Sequence, residues 1–327
     1  MPSLRTEITE VVTGLGMMGF DSVERALVHR PDVLVDVSME TWDRIAAAAD
    51  DPQFRADVFG AWRNGQVFFQ SDDGLRRRRP MIIEWKGGHR APGGESVPVD
   101  LRVDHVFLIS CKYASKILLN SAPAQLFDGT PVVGDWYDSV APDQHQVLYA
   151  AARRQVGNNE LPAFVTDLAR HHRQALKPGL DEWSAECVEA YRELSLEVGR
   201  VSAARWRAAI STKRQQEAML WRLLRISSAP YFILGSSGNR TLRVRVTTPW
   251  DWRRRFEFRD FECWGEDAGQ PRVGWRASVR DHLDGTDSSV DGHVEIRWSH
   301  GRFGQSPEAK VYLDTPHDRV PGYLPLA

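Results

Sequence analysis

The run Val97-Pro98-Val99-Asp100-Leu101-Arg102-Val103-Asp104-His105-Val106-Phe107-Leu108-Ile109-Ser110-Cys111-Lys112 decides how the first part of this chain is read. Val97, Val99, Leu101 and Val103 alternate, so they form one face of a strand and leave Asp100 on the other. Val106–Lys112 is rich in strand-forming residues, Asp104-His105 interrupts the two runs, and the whole reads as a β-hairpin. The parity of the turn then matters. With a two-residue turn Asp100 comes opposite Ile109, and Lys112 falls on the other face. A three-residue turn or a bulge puts Asp100 opposite Leu108 and returns it to the face of Ser110 and Lys112. A site that uses both Asp100 and Lys112 therefore requires an odd loop or a bulge near Asp104.

Around the hairpin, helices are expected first. Asp21 is placed to cap Ser22–His29, Ser38 to cap Met39–Ala49, and Asp51-Pro52 to open a helix that Gly65 stops. Strand-like runs follow at Gln66–Gln70 and Pro80–Lys86, before the hairpin strands at Val97–Val103 and Val106–Lys112, and Ser115–Leu119 reads as a short helix or turn ended by Pro123. Gln144 to about Ile226 is helical in pattern, with Leu161-Pro162 opening Ala163–Leu176. A long stretch from Asp181 is too long for one ordinary helix and should bend near Gly199 or Ser211. Beyond Pro230 the texture becomes strands: Tyr231–Leu234, Thr241–Val246, Phe256–Cys263, Gly274–Val279, His293–Trp298 and Lys310–Leu313. Those six suggest a small sandwich or barrel. The expected organisation is α+β: a mixed-sheet domain with flanking helices over 1–135, a helical connector over 136–228, and a β-rich domain over 229–327.

The chain has 327 residues, 42% hydrophobic and 26% charged, the balance of a globular protein able to build more than one core. The first twenty residues carry acids among apolar positions, which argues against a signal peptide, and no run approaches the length of a membrane helix. A cytoplasmic protein is expected. Cys111, Cys187 and Cys263 are odd in number and far apart, so they fit buried thiols better than disulfides or a zinc knuckle. The net charge of −2 hides an alternation. Segments 1–60, 121–200 and 281–327 are acidic (−6, −5 and −4), whereas 61–120 and 201–280 are basic (+4 and +9). Each basic segment could face a polyanion. Only six lysines stand against thirty-six arginines, as a GC-rich genome would write generic positive charge, yet Lys86, Lys112 and Lys116 fall close together. A catalytic ammonium is compact in a way a guanidinium cannot imitate.

Pro98-x-Asp100, a turn, then Ser110-x-Lys112 resembles the hairpin of the PD-(D/E)xK (restriction-endonuclease-like) nuclease superfamily, over roughly residues 40–130. The resemblance implies a mixed sheet flanked by helices and hydrolysis of phosphodiester bonds, of DNA first of all, with Mg²⁺ or Mn²⁺. It implies that Asp100 holds metal and that Lys112 orients the attacking water or stabilises the transition state. Ser110 stands where the usual acid would be. Glu84, in Ile82-Ile83-Glu84-Trp85-Lys86, is the first candidate to replace it as metal ligand, Glu95 the second, and Lys86 assists from the face of Glu84. A competing placement uses Asp72 or Asp73 with Glu84-Trp85-Lys86, although those aspartates precede a turn. Restriction, defence or repair would be the setting. Double-strand cutting calls for two active sites, hence a homodimer or a larger defence complex. The alternative is a nucleic-acid-binding protein or scaffold whose nuclease-like fold lacks activity.

Two arginine runs are candidates for nucleic-acid contact. Arg76, Arg77, Arg78 and Arg79 form a loop suited to the phosphate backbone, and otherwise a solvated one. Arg253, Arg254 and Arg255 lie among Trp250, Trp252, Phe256 and Phe258, a mixture suited to phosphate contact and base stacking or else to an amphipathic strand. His293–Arg297 alternates as a half-buried strand. His171-His172 with Asp167 reads as a surface cluster. His300-Gly301-Arg302 with Glu308-Ala309-Lys310 reads as loop chemistry, and Gly235–Gly238 as a turn, lacking the lysine and helix of a phosphate loop.

Overall fold

The computed structural model describes residues 3–87, 99–113, 117–131, 134–237, 240–299 and 301–326. Among the described residues twelve strands form; in chain order the first six are β1 (Leu34–Val35), β2 (Ile83–Trp85), β3 (Leu101–Val103), β4 (Phe107–Lys112), β5 (Ile117–Ser121) and β6 (Tyr231–Ser237). Then come β7 (Arg240–Val246), β8 (Phe256–Asp267), β9 (Pro271–Asp281), β10 (Asp287–Arg297), β11 (Glu308–Leu313) and β12 (Tyr323–Pro325). The chain is mixed α+β, with one mixed and one antiparallel sheet.

Two compact units are formed, and each is discontinuous. Unit 1 takes Met1–Lys116, Leu224–Arg255 and Pro316–Ala327, while unit 2 takes Ile117–Leu223 and Phe256–Thr315. Three consecutive domains at 1–135, 136–228 and 229–327 do not describe this arrangement. The six late strands do not make one sandwich either. β6 and β7 join the sheet of unit 1, and β8 to β11 the sheet of unit 2. Sequence texture reports strands but not their neighbours, because pairing is decided by partners distant in the chain.

In unit 1 the sheet order is β1-β2-β3-β4-β6-β7-β12. β2, β3 and β4 form an antiparallel meander, and β6 lies parallel to β4. One face of the meander carries Ile83, Trp85, Leu101, Val103, Ile109 and Cys111, all buried in a core with Ile8, Val11 and Leu15 of the first helical segment. Phe68 of helix Arg55–Gln70 packs edge-on against Phe107 and Phe232, at 5.6 and 4.9 Å between centroids. Ser38 caps Met39–Asp50 as expected, but the cap of Val23–His29 is Ser22 and not Asp21. Gly65 does not stop its helix, which continues to Gln70, so Gln66–Gln70 is helix and not strand. A Cβ at Gly65 would lie 2.0 Å from the Thr13 carbonyl oxygen, and one at Gly16 2.3 Å from that of Trp62. The two glycines let helix backbones touch; here glycine means close packing, not termination.

In unit 2 the sheet order is β5-β11-β10-β9-β8. Helix Ala185–Ala209 lies over it, placing Trp206 against Phe261 and Gly199 against the Arg272 carbonyl. It runs straight through Gly199 and ends before Ser211, the second position at which a break was expected, and Lys213–Leu224 follows. Ser115–Leu119 was read as helix or turn, but Ile117–Ser121 is the edge strand β5, and Pro123 begins a helix instead of ending one. Ala163–Leu176 is a 3₁₀ turn, Val165–Asp167, followed by the helix Arg170–Leu176. All three cysteines are buried and free.

Candidate functional site

The hairpin of unit 1 has the odd loop that a shared site needs. Val103 pairs with Phe107, leaving Asp104, His105 and Val106 as the loop, with φ of 51° at Asp104 and 58° at His105. Two consecutive left-handed residues are costly for non-glycines, and Asp104 is the anchor. Its buried carboxylate accepts from the Met81 and Ile82 N–H groups and from Arg78 Nη2 at 2.5 Å. Burial works against its charge, yet these bonds together hold its pKa below the ordinary aspartate value. The register differs from expectation in one detail: Leu101 pairs with Ile109, so extending it by one residue brings Asp100 opposite Ser110, not Leu108. The shared face is the same.

At Asp100 the two strands part. Its N–H still reaches the Ile109 carbonyl, but its Oδ2 accepts from the Cys111 N–H at 2.7 Å and from Ser110 Oγ at 3.3 Å. The carboxylate thus replaces a backbone acceptor in the ladder. On the other side the Lys86 N–H donates to the Asp100 carbonyl, which joins Asp100 to β2. Lys112 stands two residues beyond Ser110, at the end of β4.

A second acid, which the sequence reading passed over, is brought to this place. Glu10 lies in a π-helical turn, Ile8–Val12, and is buried; its Oε2 accepts from Trp85 Nε1 at 2.7 Å. Burial pushes the Cys111 thiol well up, and the negative charges of Asp100 and Glu10 push it further. Two carboxylates therefore act on one buried sulfur. A π turn is a frequent mark of a functional position, but it leaves no signature in residue types that the sequence could have offered.

Glu84 is differently placed. Arg102 grips both its oxygens, Nε to Oε2 at 2.5 Å and Nη2 to Oε1 at 2.6 Å, and Lys86 Nζ and His105 Nδ1 each stand at 3.1 Å. The Arg102 bonds hold its pKa down at about 2, against the opposing effect of burial and with help from Lys86. A metal ion at Glu84 would have to displace a bidentate guanidinium, so the expected ligand role faces a competitor built into the sheet. Asp73 is ion-paired to Arg245 at 2.7 Å, and Asp72 is exposed, which leaves the competing placement without its aspartate. Pro98 and Glu95 lie outside the described residues.

Arg76–Arg79 follow helix Arg55–Gln70 and are all exposed, with Arg76 and Arg77 in the left-handed region. Arg253–Arg255 are also exposed, but they form the last turn of helix Pro249–Arg255, not a strand. Trp252 there is buried and donates to the Pro321 carbonyl, so of that helix's two tryptophans only Trp250 is exposed. His172 accepts from the Ala169 N–H, a helix-capping contact. Glu308 and Lys310 sit on β11, with Nζ 3.8 Å from Oε2.

Unit 2 holds a group that the sequence reading did not single out. Asp135 caps helix Trp136–Val140 by accepting from the Tyr137 N–H, Asp138 lies in its first turn, and His145 projects from the next helix, Pro142–Val156. One ligand atom from each lies within 4.8 Å of the others, so the three could hold a metal ion. His145 Nδ1 is 2.6 Å from Asp138 Oδ1, its ring stacks on Phe303 and meets Tyr137 edge-on, and its buried Nε2 has no hydrogen-bond partner. Burial raises the Asp135 pKa. Asp-x-x-Asp with a histidine seven residues later was the available signal.

Comparison of this chain with family models, with curated proteins and with solved structures finds no match. Among the described residues, no helix is long and apolar enough to cross a membrane.

Proposed function

We propose that unit 1 is a metal-dependent nuclease that hydrolyses phosphodiester bonds, DNA being the expected substrate. The observation that carries this reading is the three-residue loop, which sets the Asp100 carboxylate at the parting of β3 and β4, beside Ser110 and two residues short of Lys112. The donor chemistry suits a hard divalent cation. Asp100 and Glu10 are buried carboxylates of unit 1, and Mg²⁺ or Mn²⁺ prefers such oxygen ligands. A bound ion would supply Lewis-acid polarisation of a phosphoryl oxygen and a more acidic water. Asp100 and Glu10 would hold it. Lys112 would orient the attacking water or offset charge gathering on the phosphorus. The exposed Arg76–Arg79 and Arg253–Arg255 would contact phosphates away from the reacting bond.

The test is cleavage of plasmid and linear DNA with Mg²⁺ or Mn²⁺. Lys112→Ala and Asp100→Asn should each lower the rate by about 100-fold or more, the scale of losing a charge-stabilising or general-base group. Circular dichroism checks that both variants remain folded. Undiminished cutting by both folded variants would sink this assignment.

A second reading, a nucleic-acid-binding protein without turnover, is favoured by the Glu84–Arg102 clasp and by serine at position 110. Salt-dependent DNA affinity without cutting by the wild type would select it.

A further inference from the structure

Unit 1 contains a cleft of about 170 Å³ lined by, among others, Thr9, Asp57, Asn64, Lys112, Thr241 and Arg243. Arg243 lies on β7 opposite Leu234, on the side of the sheet that faces helix Arg55–Gln70. Its Nε donates to the Asn64 carbonyl oxygen at 2.8 Å. Asn64 is neutral, and among the described residues no carboxylate is paired with this guanidinium. Burial lowers the Arg243 pKa, and Arg63 lowers it further. The acid of the cleft is turned elsewhere: Asp57 Oδ2 takes the Arg5 Nε at 3.3 Å, and Arg5 lies over the Phe54 and Tyr113 rings.

A half-buried arginine beside a second arginine, with an amide as its partner, is poorly compensated by the protein alone. Folding accepts that cost here without an internal carboxylate, and an anion from outside would remove it. We propose that this cleft binds a phosphoryl group, with Arg243 as its principal recognition residue. A guanidinium fork matches two phosphoryl oxygens. The exposed Thr241 hydroxyl adds a donor of the right kind. About 170 Å³ holds roughly five waters at about 30 Å³ each, which fits a phosphoryl group and a little solvent but not a nucleobase with its sugar. Gly235 also lines the cleft; its φ is 147°, and a Cβ there would stand 1.9 Å from the Lys112 carbonyl oxygen, so the two strand backbones approach closely at this point.

The phosphoryl group could come from a strand end or from free phosphate. The first source rests on the nuclease reading, since Lys112 belongs to both places; the second does not. Binding is therefore measured in EDTA, where no cutting occurs. Two probes are used: inorganic phosphate followed by ³¹P line broadening, and a ten-nucleotide single strand with a 5′-phosphate or a 5′-hydroxyl followed by fluorescence anisotropy. The wild type should broaden the phosphate line, and Arg243→Gln should lose at least about tenfold in affinity, the scale of one charge-assisted hydrogen-bond pair. Arg243→Gln keeps a donor for Asn64. Thr241→Glu, an exposed substitution, should weaken binding similarly by placing a negative charge at the mouth. A 5′-phosphate preference that both variants abolish would identify the strand end as ligand. Phosphate binding without that preference would identify the free anion. No phosphate binding by the wild type, or equal binding by the wild type and both folded variants, overturns the proposal. Because cleavage is absent from these readouts, loss of the nuclease reading would leave their outcome unaffected.

Discussion

Glu84 in unit 1 and the Asp135–Asp138–His145 group in unit 2 are both partly buried carboxylate sites, and they are balanced in opposite ways. Glu84 is surrounded by cations of the protein: Arg102 on both oxygens, with Lys86 and His105 behind. Asp138 takes the His145 imidazole, Asp135 is acted on by His145 and Arg173, and burial nonetheless raises the Asp135 pKa where the Arg102 clasp lowers that of Glu84. The lesson concerns how a metal ligand is recognised. An acid in the right strand is a poor indicator when an arginine already neutralises it, and a better one when the charge has been left for something else to balance. Asp100 stands between these cases, since its carboxylate serves the backbone of β4.

The largest effect should come from breaking the clasp. Glu84→Ala leaves Arg102 and Lys86 facing one another, and should cost on the order of 2–3 kcal/mol in urea unfolding, as for other ion pairs that lose one partner while partly buried. A change below about 0.5 kcal/mol would mean that the network is no more than a surface arrangement.

Metal addition probes the other side. Zn²⁺, which suits the imidazole-containing group better than the all-oxygen donors Asp100 and Glu10, should at about 100 times its dissociation constant stabilise the wild type by about 2.7 kcal/mol, seen as a rise of a few degrees in Tm. Asp138→Asn should lose that rise, whereas Glu84→Gln should keep it. Equal shifts in all three proteins would place the ion elsewhere.

The smallest effect is in pH. The Glu84 pKa is depressed from about 4.5 unfolded to about 2 folded. Its contribution is therefore complete above about pH 4.5 and is lost as pH falls toward 2. Glu84→Gln should flatten stability against pH in that window only. Asp135, whose pKa is raised, contributes in the opposite sense, so Asp135→Asn should remove a term that weakens the fold as pH rises through the aspartate range.

Much of the local structure was legible in the chain. The Ser38 cap, the hairpin, the buried cysteines and the break near Ser211 follow from nearest neighbours: side-chain capping, alternation and turn chemistry act over three or four residues. Gly65 was misread because its role depends on Gly16, some fifty residues away. The candidate site divided along the same line. Asp100 and Lys112 were visible because a hairpin is local. Glu10 was not, since it reaches Trp85 from a π turn seventy-five residues distant.

By itself, then, the sequence determined most of the strands and the main helices, which faces are apolar, and that Asp100 and Lys112 can share a face. Only the tertiary structure decided that two units form, each discontinuous along the chain, that Arg102 occupies Glu84, and that Asp135, Asp138 and His145 meet. The physical reason is range. Hydrogen-bonding preference and side-chain alternation are properties of short segments, whereas charge compensation depends on which distant cation the fold brings within about 3 Å.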